Sequence, residues 1–271
     1  MINLDLNKRA LLYSAILTLG IYLLVHIRPE SSLTHYIVAL AINLLIFMLE
    51  LYTIITVSSV KLEQMGLPKV NRYSYIQTTI YHKFLPLILF ASFNIFIFFN
   101  PINFMTVILF LTIFLSFSIL FINIRAYFED KFKLEMATHF IYVFSVIFGI
   151  FSLSNAVLNI ASIYDINLIF VIAAIFVLVI ISFLILFIEK LDLDPVFYLL
   201  IIVASLISTA IAISLFEHFE SVLRTSFMLA TCFYLFGALI HHKQDGTLQK
   251  FVLLEYTIIL SLSFVLLYGI K

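Results

Sequence analysis

The chain has 271 residues, of which 64% are hydrophobic and 11% charged, with a mean hydropathy of +1.19. A water-soluble domain of this length cannot hide so much apolar surface, so the composition excludes one and points to a membrane. The 15 Lys and Arg balance the 15 Asp and Glu, and a net charge of zero offers nucleic acid no bulk attraction, leaving the lipid bilayer as the expected surroundings.

Apolar stretches lie near residues 10–27, 34–60, 84–100, 102–124, 139–162, 167–188, 195–216, 224–241 and 250–270. A hydrocarbon core of roughly 30 Å takes about 20 helical residues to cross. The pattern therefore predicts an all-α, polytopic transmembrane bundle of about nine spans with no soluble domain. Lys8 and Arg9 precede the first stretch, which ends in His26, Arg28, Pro29 and Glu30 rather than in small residues, so it reads as an uncleaved signal anchor. With the amino terminus inside, only Arg28, Arg224 and Lys271 of the 15 basic residues fall on the outer side. That bias predicts a cytoplasmic amino terminus, an external carboxy terminus and a place in a bacterial cytoplasmic membrane.

Two inner connectors carry structure of their own. After the break at Gly66, Leu67 and Pro68, connector 61–83 sets Tyr73, Ile76 and Ile80 at helical spacing beside Arg72 and Lys83, which predicts a short interfacial helix. In connector 125–138, Glu129 stands four residues before Lys133 and Lys131 four before Glu135, pairs that support a helix continuing past the membrane.

Polar residues inside spans mark the faces that meet other helices, because lipid offers them no hydrogen bond. In span five, Ser145, Gly149, Ser152, Asn155 and Asn159 lie on one side. Span seven sets Ala204, Ser208 and Ala212 four residues apart beside Ser205 and Thr209, a surface for close helix approach. Span six has only Ser182 and is expected at the periphery, facing lipid. Cys232 is expected to be a small packing residue.

Two carboxylates stand in apolar sequence, Glu50 in span two and Glu255 in span nine. A charged acid at mid-membrane costs about 3 kcal/mol on insertion scales, so each is expected to be protonated, paired or close to water. Glu50 shares a face with Asn43, seven residues away. Glu255 lies five residues beyond Lys250, and His241 and His242, which end span eight, are candidates to pair with it at the inner face. The candidate site residues are thus Glu50, Glu255, Asn43, Asn155 and Asn159, with His241 and His242 beside them. No metal site and no cofactor are expected, since the sequence has no H-E-x-x-H, nucleophile elbow, phosphate-cradling glycine loop or cysteine cluster.

The favoured reading is a non-enzymatic membrane component that packs with other membrane proteins or with itself. A transporter or flippase working through Glu50 and the span-five stripe is the first alternative. Such proteins use helices broken at mid-membrane, whereas Pro29, Pro68, Pro86, Pro101 and Pro195 all fall in connectors or near span ends. The second alternative is lipid chemistry within the membrane. Nine spans with an inner amino terminus, and Glu189, Asp192 and Asp194 after the sixth, resemble the prenyltransferases that join isoprenoid chains to aromatic acceptors. That resemblance implies magnesium and diphosphate held between two acidic connectors. The first of these, 61–83, has Glu63 as its only acid.

Overall fold

The computed structural model describes residues 4–26, 29–64, 84–100, 105–128, 135–187, 195–219 and 221–269. Among them there is no strand, and the helices are α1 (Leu4–His26), α2 (Pro29–Gln64), α3 (Leu85–Phe99), α4 (Met105–Phe128), α5 (Glu135–Tyr164), α6 (Leu168–Leu186), α7 (Pro195–Phe219), α8 (Val222–Gln244) and α9 (Lys250–Phe264), the last running on into a π-helical turn, Val265–Gly269. Each expected span overlaps one of these helices. The expected interfacial helix around Tyr73–Ile80 and the ion pairs of connector 125–138 lie outside the described residues.

Among the described residues, six stretches are long and apolar enough to cross a membrane: Thr34–Ile54, Phe140–Tyr164, Leu168–Leu186, Pro195–His218, Val222–Gln244 and Lys250–Tyr268. Leu85–Phe99 and Leu109–Ile124 are shorter apolar helices. The protein is therefore an apolar helical bundle of the membrane type.

Local chemistry explains several helix boundaries. Proline opens α2 and α7 and stands in the first turn of α3, where a missing N–H costs nothing. Asn167 caps α6 by accepting a hydrogen bond from the N–H of Ile169 at 3.0 Å. Gly246 turns the chain between α8 and α9 at φ +68°, a backbone shape that glycine adopts without strain. Within the helices, hydroxyls donate to the carbonyl four residues earlier, as in Ser14 to Ala10 (2.8 Å), Ser152 to Phe148 (2.8 Å) and Ser205 to Ile201 (2.8 Å). These bonds satisfy the side chain without a partner helix.

The chain divides into two compact units, Met1–Phe144 and Ser145–Lys271. In the first, α1 packs against α2 and α4 and touches α3, and α2 packs against α4. Its centre is aromatic. The Phe47 ring stacks on Phe90 at 4.8 Å between centroids and reaches Phe117 at 6.0 Å and Phe121 at 6.1 Å, joining α2, α3 and α4. Lipid tails are as apolar as these rings, so the cluster is held by packing contacts more than by exclusion from water. At the other end of the helices, Tyr22 meets Phe110 at 5.3 Å and Tyr36 meets Phe98 at 5.5 Å.

In the second unit, α7 packs against α6 and α8, and α8 also meets α9. The small face of α7 is buried at Ala204, Ser205, Ser208, Thr209 and Ala212. On α5, Ser145, Gly149, Ser152 and Asn155 are buried and Asn159 is half-buried. Phe183 of α6 and Phe233 of α8 hold ring centroids 4.3 Å apart, next to Gly237, where an added Cβ would stand 3.0 Å from Leu186. Ser182 belongs to this packed face: it is buried with Val171, Ile175, Val179 and Phe183, while the rest of α6 is exposed or half-buried. Cys232 is buried with Leu215, Met228 and Tyr268.

Candidate functional site

Glu50 is fully buried, and its carboxylate meets the guanidinium of Arg9. Arg9 donates from Nη2 at 3.2 Å and from Nε at 3.3 Å, both to Oε2. The pair joins α1 to α2, so an acid from the second apolar stretch is neutralised by a base from the edge of the first. The Arg9 side chain is 43% exposed while that of Glu50 is 0% exposed. One end of the pair thus reaches the surface and the other is sealed in the bundle. The guanidinium also lies 5.4 Å from the ring centroid of Tyr13, one turn along α1, a cation–π contact that helps hold it.

Sequence reasoning assigned Arg9 to the basic inner flank and did not match it with Glu50. The signal was in the hairpin register: Arg9 stands 20 residues before Pro29 and Glu50 stands 21 after it, so antiparallel helices turning at Pro29 bring the two to one level.

Asn43 lies two turns from Glu50 on α2 and is 2% exposed. Neither amide atom has a hydrogen-bond partner among the described residues. The amide lies close against α1 at Gly20, where an added Cβ would stand 2.5 Å from Oδ1. Glycine at this position is what lets α1 and α2 approach so closely. Further buried polar groups of the same unit, Ser92, Ser118 and the Asn123 amide, also have no partner among the described residues. Such groups are costly in an apolar interior.

Asn155 and Asn159 bond along their own helix. The Asn159 amide donates to the Asn155 backbone carbonyl at 2.8 Å and to its side-chain oxygen at 3.0 Å. Both belong to the second unit, whereas Arg9 and Glu50 belong to the first.

Glu255 is exposed on α9. His241 has taken a nearer partner, the Asp245 carboxylate at 2.8 Å, one turn on and at the helix end. His242 instead meets the Thr247 hydroxyl at 2.8 Å, and its ring lies 6.0 Å from that of Tyr256. The turn at Gly246 thus draws both imidazoles onto the connector. Among the described residues, no three His, Cys, Asp or Glu side chains come together in a way that holds a metal ion. Glu189, Asp192 and Asp194, which carried the prenyltransferase resemblance, lie outside the described residues.

No protein-family model, curated protein or solved structure matches this chain.

Proposed function

We propose that the chain crosses the membrane nine times, amino terminus in the cytoplasm and carboxy terminus outside, and serves as a non-enzymatic component that packs with other proteins of that membrane. The observation that carries this reading is the Arg9–Glu50 pair. A carboxylate that moves a proton or binds a substrate has to exchange partners during its cycle. Glu50, the most deeply buried acid among the described residues, is instead held by two N–H donors of its own unit and ties one helix to the next. Its role in this reading is that of a clamp.

The transporter alternative keeps one specific support, the Asn43 amide two turns from Glu50, which has no hydrogen-bond partner among the described residues. The two readings separate in sealed vesicles holding the purified chain and an internal pH dye, with an imposed potential to drive protons. The packing reading expects the same proton leak for the native chain and for Glu50→Gln. A flux above that of empty vesicles, lost in Glu50→Gln, would replace it with transport.

A further inference from the structure

Helix α9 has no buried residue between Lys250 and Phe264. Within an apolar 18-residue window of Lys250–Tyr268 only 6% is buried, against 61% in the corresponding window of Phe140–Tyr164. The helix meets its own unit at Tyr256, whose ring lies 6.0 Å from that of His242, and toward the far end, where Leu260, Leu267 and Tyr268 pack around Cys232. The outward face repeats Phe251, Glu255, Ile258 and Leu262 at spacings of three and four, one stripe along a helix. Phe251 is 73% exposed and Leu262 56%.

Lipid tails satisfy the phenylalanine, isoleucine and leucine of that stripe but not the carboxylate among them. Lys250 is no partner along the helix, since five residues turn it about 140° away from Glu255. The neighbours of Glu255 one turn to either side are Phe251, Val252, Ile258 and Ile259. No hydrogen bond or ion pair reaches Glu255 from the described residues. A second copy docked by the same face about a two-fold axis would set Glu255 against Glu255, an unfavourable meeting of like charges.

We infer that this face of α9 docks a transmembrane helix of another protein that presents a Lys or Arg at the depth of Glu255, about 7 to 8 Å inside the Lys250 end. The inference rests on the packing reading and names the chemistry of its partner. The apolar stripe supplies close contact, and the opposite charge sets depth and choice of partner.

The test uses the full chain in phosphatidylcholine vesicles, labelled at position 271 in a Cys232→Ser, Lys271→Cys background. Energy transfer is measured to two synthetic Leu-rich transmembrane peptides, identical except that one carries a single Lys about five residues from one end. The Lys peptide is expected to associate about tenfold more tightly than its all-Leu twin, on the scale of polar interhelical contacts in membranes. Glu255→Gln is expected to remove that preference, and Glu255→Lys to transfer it to a matching Glu peptide. Glu255 is exposed, so neither change disturbs the packed interior. Equal binding of the peptides, or a preference that survives Glu255→Gln, overturns the docking face while the vesicle flux result for Glu50 stands independently. Transfer between labelled copies of the chain that Leu262→Ala abolishes would overturn it in favour of self-pairing.

Discussion

Asn43 of α2 lies against Gly20 of α1 so closely that a methyl group on Gly20 would stand 2.5 Å from the Asn43 side-chain oxygen. Real Cβ atoms do not tolerate such a contact, and Asn43, buried at 2% exposure, has little room to retreat. Gly20→Ala is therefore expected to destabilise the first unit by about 1 to 3 kcal/mol, the usual cost of overpacking. Adding Asn43→Ala is expected to recover most of that loss in a detergent unfolding titration. A double variant no more stable than Gly20→Ala would place the clash elsewhere.

Orientation is tested by accessibility. In a Cys232→Ser background, Ile166→Cys in the α5–α6 turn and Gln249→Cys before α9 both place a thiol at an exposed position. A membrane-impermeant maleimide added to intact cells is expected to label position 166 and to spare position 249 until the cells are opened. The reverse pattern would turn the whole topology over.

Packing in the second unit is tested at two polar positions and one apolar control. Asn155→Leu is expected to cost about 1 kcal/mol or somewhat more by removing a polar contact inside the bundle. Ser182→Leu is expected to cost about 1 to 3 kcal/mol, because Ser182 is buried beside Phe183 and a larger side chain overpacks that face. Val177→Leu, on the exposed side of α6, is expected to leave stability unchanged. A Ser182→Leu chain as stable as the native one would return Ser182 to the lipid side.

The helices were legible because an apolar environment forces the backbone to bond to itself, so any long apolar run reads as helix whichever way it faces. That same property hides orientation. Glu255 and Ser182 look alike in sequence, each a polar residue in an apolar run, yet one is exposed and the other buried. On α7 the spacing of Ala204, Ser208 and Ala212 did mark a packed face, because small residues only help where backbones approach. The Arg9–Glu50 pair depends on how α1 folds back along α2, a tertiary register that no single span contains. His241 and His242 were drawn to local partners, Asp245 and Thr247, which a reading of long-range pairing passes over.

The clamp between α1 and α2 is tested most directly by a double-mutant cycle on Arg9 and Glu50, with unfolding measured for the native chain, Arg9→Gln, Glu50→Gln and the double variant. A structural pair predicts a coupling of about 1 to 3 kcal/mol between the two positions. Arg9→Gln is expected to be the more damaging single change, because it takes two charged donors from a fully buried carboxylate, whereas Glu50→Gln leaves a guanidinium whose side chain is 43% exposed and can turn to water. Additive effects, with Glu50→Gln as stable as the native chain, would contradict the clamp.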